Sequence, residues 1–148
     1  MEEILVMMLA VFLMAATPLL EVWIAIPAGI AMGLDPVLTA LMAGLGNFIP
    51  LIFIAIGFER FRLWFESRCK DREERVGFKR FKRLWELYGL PVAALAAPAT
   101  IGTHLALLMI MSLGADARRS LLWMGLSIGL WTLIVTPLAV IGVDMFIR

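Results

Sequence analysis

Two stretches of this chain, residues 36–58 and 120–143, each run for more than twenty residues without a charge. A helix needs roughly 20 apolar residues to cross a bilayer, so each stretch fits one crossing. Composition agrees: 62% of the residues are hydrophobic and 17% are charged, where soluble domains carry about 25% charged residues. The expectation is an all-α integral membrane protein forming a single membrane domain over residues 1–148.

Two further apolar stretches, 4–34 and 87–115, do not fit single crossings. As one straight helix, 4–34 would extend about 46 Å, well beyond a hydrocarbon core of about 30 Å. It is interrupted by Thr17, Pro18, Glu21, Pro27 and Gly29, and 87–115 by Gly89, Pro91, Pro98 and Gly102. Proline removes a backbone donor and clashes with the preceding turn, so helices break there. Each half is too short to cross alone. Two half-helices that return to the same side, a re-entrant hairpin, resolve the mismatch in both stretches.

Charge points the same way. Segment 59–86 holds ten basic residues, and the turn Asp116-Ala117-Arg118-Arg119 is also basic. The positive-inside rule puts both in the cytoplasm. Stretch 87–115 between them must then enter and leave on one face. The alternative is a plain crossing with Arg118 and Arg119 outside.

The halves also repeat at an offset of 81: Gly33, Asp35, Gly44 and Leu45 match Gly114, Asp116, Gly125 and Leu126. Each half reads as broken hairpin, short polar turn, full span. An odd number of crossings between the copies inverts the second. Inverted repeats with discontinuous helices are a transporter signature, with the site at the repeat interface near mid-membrane. The expected organisation is therefore 1–58 as first hairpin plus span, 59–86 as a basic cytoplasmic-face segment, and 87–148 as second hairpin plus span.

In 59–86, Phe61, Trp64 and Phe65 recur at helical spacing, as do Phe78, Phe81, Trp85 and Tyr88. Asp71 to Glu74 separates two amphipathic pieces. Such helices lie in the headgroup plane, where basic faces favour anionic lipid; lipid recognition and plain anchoring both fit. Cys69 permits no internal disulfide and reads as an ordinary residue in a reducing, cytoplasmic setting. Glu2 and Glu3 precede the first apolar run where a signal peptide carries positive charge, so the start is expected to be mature structure.

Glu21 is the residue with most chemistry. A carboxylate between two apolar runs costs several kcal/mol in lipid unless it faces protein, water or a partner. Glu21 could take a proton from one side and release it to the other, or balance a cationic substrate. The structural alternative is a cap on the half-helix that starts near it. Asn47 could bond free carbonyls of a hairpin tip or simply join two helices. Thr100, Thr103 and His104 follow Pro98 and could line a wet cavity, though a lone histidine is commonly a satisfied packing residue. Gly29, Gly33, Gly44 and Gly46 suit close helix packing. One histidine and one cysteine leave no metal cluster, and no phosphate loop, nucleophile elbow or dinucleotide fingerprint occurs. The expectation is no enzyme, no cofactor, no metal and no nucleic acid.

The blocks Glu21-Val-Trp-Ile-Ala-Ile-Pro27-Ala-Gly29, Gly46-Asn-Phe-Ile-Pro50, Tyr88-Gly89 and Pro98-Ala-Thr-Ile-Gly102-Thr103 together resemble the putative small multidrug export protein family. That family is similar to the DedA (VTT-domain) membrane proteins. The resemblance covers nearly the whole chain. It implies two opposed re-entrant hairpins and a transport role. DedA relatives are implicated in moving polyprenyl-phosphate or phospholipid and in resistance that depends on the proton-motive force. The related motif often carries an arginine two residues after the glutamate, where this chain has Trp23.

Together these observations suggest a small transporter in a prokaryotic cell (inner) membrane. It is expected to translocate a lipid or amphipathic substrate with proton coupling at Glu21. Asn47, Pro98, Thr100, Thr103 and His104 are the other candidate site residues, and Pro18, Pro27, Gly29 and Gly102 shape the hairpins. Membrane lipids, the proton and a second copy in a homodimer are the expected partners. A small multidrug exporter and a membrane-organising protein that transports nothing are the alternatives.

Overall fold

The computed structural model describes residues 2–68 and 88–147, with side chains for 2–63 and 88–145. Every described regular element is helical: α1 (Glu2–Ala16), α2 (Glu21–Ala31), α3 (Pro36–Arg68), α4 (Leu90–Ala96) with a 3₁₀ turn (Ala97–Ala99), α5 (Thr103–Ser112) and α6 (Ala117–Ile147). Among the described residues, two helices are long and apolar enough to cross a membrane, Pro36–Leu63 and Ala117–Met145. Only 28% of each apolar window is buried. The core helix of a soluble protein would be mostly covered, whereas here Phe53, Leu133 and Leu138 lie exposed.

The breaks have local causes. Pro18 has no N–H to continue α1, and the Thr17 hydroxyl donates back to the Leu13 carbonyl (2.8 Å). Leu19 and Glu21 take positive φ, 81° and 44°. Leu20 N–H and Glu21 N–H both donate to the Thr17 carbonyl (3.3 and 3.4 Å), which closes one tight turn. In the second half the break falls after Pro98, at Thr100–Gly102, with Gly102 at φ 85°.

Both broken stretches double back. A Cβ on Gly29 of α2 would lie 2.7 Å from Val11 of α1, so positions on either side of the 17–20 turn face each other. Ala93, Ala96 and Ala97 line one side of a crevice whose other side is Ala106, Met109 and Ile110. α1–α2 and α4–α5 are thus helical hairpins. α3 and α6 run antiparallel: Gly44 faces Thr132, and Phe48 faces Gly125. The basic end of α3, with Arg60 and Arg62, therefore points the same way as Arg118 and Arg119.

The turns after the hairpins recur at the same offset of 81. Gly33 N–H donates to Ile30 O and Leu34 N–H to Gly29 O; Gly114 N–H donates to Met111 O and Ala115 N–H to Ile110 O. These are paired C-terminal caps with glycine at φ 88° and 89°. Asp35 then accepts from Val37 N–H (2.9 Å) and Leu38 N–H (3.0 Å), while Asp116 accepts from Arg119 N–H (2.9 Å). Each aspartate caps the start of its long helix. The Thr39 and Ser120 hydroxyls donate to the Asp35 and Asp116 carbonyls (2.9 and 2.8 Å).

Three sequence expectations change in detail. Pro27 lies inside α2 and breaks nothing; Pro50 and Pro137 are likewise inside helices. Neighbouring helices tolerate proline in apolar surroundings where its freed carbonyl finds other partners. Gly29 is a packing residue, since a Cβ there would meet Thr39 at 2.5 Å. The span expected to end at 58 continues as helix to Arg68, because no glycine or proline stops it. Residues 69–87, and with them Cys69, the 71–74 break and the aromatic face of Phe78, Phe81 and Trp85, lie outside the described residues.

Candidate functional site

The tips of the two hairpins meet at Glu21. It is 3% exposed although it opens α2. Thr103 N–H, the first of α5, donates to Glu21 Oε1 (2.6 Å). The carboxylate thus caps the opposite half-helix, and not its own as the structural alternative had it. Thr103 N–H is one of the donors that a helix start leaves free, and the Glu21 carboxyl satisfies it. Gly102 makes the approach possible. A Cβ on it would sit 2.7 Å from Oε1, and φ 85° is a conformation that L side chains rarely adopt.

Asn47 and His104 complete the cluster, both buried. The Thr103 hydroxyl lies 3.0 Å from Glu21 Oε1 and 2.7 Å from Asn47 Oδ1. His104 Nδ1 lies 3.3 Å from Glu21 Oε1 and 3.4 Å from the Thr103 hydroxyl. Asn47 stands about 17 Å along α3 from Pro36, roughly half the thickness of a hydrocarbon core. Glu21 Oε2, Asn47 Nδ2 and His104 Nε2 are buried without a protein partner among the described residues.

One hydroxyl hydrogen cannot serve two acceptors, so the cluster has two consistent arrangements. With Glu21 charged, the Asn47 amide turns so that Nδ2 donates to Thr103 Oγ1, and the hydroxyl donates to Oε1. With Glu21 protonated, its O–H donates to Thr103 Oγ1, and the hydroxyl donates to Asn47 Oδ1. Each state has a complete chain of bonds from α2 through α5 to α3. The same atoms can therefore hold either a proton or a charge without dismantling the contact.

Other candidates fall elsewhere. Pro98 is buried and contributes its carbonyl, which accepts from the Trp23 indole N–H (2.6 Å). Thr100 is exposed and bonds back to the Ala96 carbonyl (2.9 Å), so it stands outside the cluster. Trp131 of α6 was not foreseen. Its indole N–H donates to the Leu95 carbonyl (2.8 Å), and its ring lies 5.0 Å from that of Trp23, tilted by 48°. The two indoles tie α2 and α6 to the strand of chain before the second tip. The available signal was a tryptophan in each of two apolar helices, facing a proline-broken stretch with carbonyls to satisfy.

Among the described residues no group of three or more His, Cys, Asp or Glu is placed to hold a metal. In comparisons with known proteins, the model of the family described as "Putative small multi-drug export protein" matches residues 21–134, a range that includes all four residues of the cluster. Neither a curated protein nor a solved structure matches the chain.

Proposed function

The chain belongs to that family, and from this premise we propose that it is a small membrane transporter that moves a lipid or amphipathic substrate, with Glu21 as the intramembrane acid that couples movement to protons. The observation that carries this is the buried carboxylate held between two hairpin tips at about half the depth of a span. An ionisable group at such a depth costs several kcal/mol and persists where it has work to do. The two hydrogen-bond arrangements of Glu21, Thr103 and Asn47 let it load and unload. We take both hairpins as re-entrant and the halves as an inverted repeat with the site between them; the turns repeated at an offset of 81 support this. Segment 59–86 is taken to lie on the cytoplasmic face of a prokaryotic cell membrane, and the family to be distantly related to DedA proteins. Thr103 and His104 serve the proton; Pro98 and Thr100 shape the tip.

The test is transport in liposomes loaded with a pH-sensitive dye and fluorescent lipids. Glu21→Gln keeps the shape and fixes the neutral state, so the protein should insert while substrate movement loses its response to pH. Glu21→Asp should be partly active. A fully active Glu21→Gln with an unchanged pH profile would remove Glu21 from the coupling role and turn attention to His104. A variant that fails to fold, with pH-dependent transport in the fraction that inserts, would leave Glu21 as a cap only. Export of drug-like compounds is the second reading. It is favoured by the family's description and by an apolar groove of about 410 Å³ between α2 and α6 bordered by Trp23. Drug efflux without lipid movement in the same liposomes would select it. A membrane-organising role predicts no movement of either.

A further inference from the structure

The outer face between α3 and α6 is not flat. A groove of about 700 Å³ runs along α6 past Leu122, Gly125, Leu126 and Gly129 to Leu133, and among the described residues Arg118 is the one charged residue in its wall. A second groove of about 700 Å³ continues between α3 and α6 and shares Phe48, Gly125, Gly129 and Leu133 with the first. Both volumes lie in the range of small-molecule clefts, about 300–1,000 Å³. From Arg118 to Leu133 is about 22 Å along the helix, more than one leaflet's half of a hydrocarbon core of about 30 Å. The guanidinium stands at the interfacial end of an apolar trough.

Arg118 makes no ion pair with any described residue. The nearest acid in sequence, Asp116, is turned to the start of α6, where it accepts from Arg119 N–H. An unpaired guanidinium at the end of a trough matches one kind of occupant: a molecule with a phosphate at one end and hydrocarbon behind it. Phe48 borders both grooves, so two apolar troughs meet there.

We propose that the α3–α6 face is a docking site for an anionic two-chain phospholipid, its phosphate on Arg118 and its chains in the paired grooves over Gly125 and Gly129. The site is separate from the Glu21 cluster, and it stands whether or not Glu21 couples transport.

Native mass spectrometry of the full chain in detergent, titrated with phosphatidylglycerol or phosphatidylcholine, tests it. The unaltered protein should prefer phosphatidylglycerol. Arg118→Gln should lose that preference by roughly fivefold, the worth of one arginine at an anionic headgroup, and Arg118→Lys should keep most of it. Gly129→Leu should weaken both lipids by filling the trough. It should fold, since a Cβ at Gly129 meets nothing within 4 Å. The readout is equilibrium lipid binding and not pH-dependent transport, which keeps this test apart from the coupling test. Unchanged lipid preference in Arg118→Gln, or unchanged affinity for both lipids in Gly129→Leu, overturns the proposal. So does competition by millimolar inorganic phosphate, which would mean an anion site without chains. A Gly129→Leu change from dimer to monomer with lipid binding intact would give the groove to a second copy and overturn it too.

Discussion

Gly102 and Glu21 constrain each other. The glycine adopts φ 85°, where an L side chain costs about 1–2 kcal/mol. Any Cβ there would also push on the carboxylate at 2.7 Å. Gly102→Ala should therefore lower the thermal midpoint in detergent by more than the backbone cost alone. In a Glu21→Asp background the carboxylate is drawn back by one methylene, so the same substitution should cost less. A double-mutant cycle measures the difference; simple additivity would mean the two residues do not touch in the folded protein. Thr103 gives a second test at this scale. Thr103→Val keeps the backbone N–H to Glu21 but strands Asn47 Oδ1 in a buried place, at about 1–3 kcal/mol. Thr103→Ser retains the hydroxyl and should restore most of that stability, read from the same melting curves. The Leu19 and Glu21 backbones, at positive φ, are strained for side chains of their size, and strain of this kind collects at working sites.

At the scale of elements, the second hairpin is held by two indoles. Trp23 and Trp131 come from different helices and donate to Pro98 and Leu95 carbonyls only three residues apart. Trp23→Phe and Trp131→Phe keep ring area and lose the donor. Each should cost about 1 kcal/mol and raise amide hydrogen exchange around Ala97–Gly102. Equal exchange in all variants would show that packing alone fixes the tip. Trp23 spends its polar atom on the Pro98 carbonyl, so at this position the chain offers no charge to a substrate. Close packing does the rest: Gly46 lies against the backbone of Phe12, and no side chain fits there.

For the whole molecule, antiparallel α3 and α6 turn the basic end of one toward the basic start of the other. If that end is cytoplasmic, single cysteines at positions 72 and 118 in a Cys69→Ser background should be labelled from the same side. Labelling from opposite sides would remove the re-entrant second hairpin and the inverted repeat with it. Two long apolar helices and two hairpins leave much apolar surface, including Leu5, Val6 and Leu9 of α1. Lipid or a second copy must cover it, and chemical cross-linking in the membrane separates these.

What the sequence alone determined is what acts locally. Uncharged runs set the two spans, Pro18 and the Pro98–Gly102 block set the breaks, and Gly-x-Asp set the turns that recur at an offset of 81. Each depends on a few neighbouring residues and on the solvent, so each is legible in a string. The same holds for Glu21, whose place between two apolar runs marks it before any fold is known. Only the tertiary structure decided that Glu21, Asn47, Thr103 and His104 meet, and that Thr100, one turn away, does not. It also decided that Glu21 caps the opposite hairpin, and that the Trp23 and Trp131 indoles satisfy carbonyls of the second. Pro27 could not be told from Pro18 by type, because the neighbours that let a helix keep its proline come from elsewhere in the chain. Residues 82 positions apart are joined by how two hairpins reverse and cross α3, and no short-range periodicity encodes that.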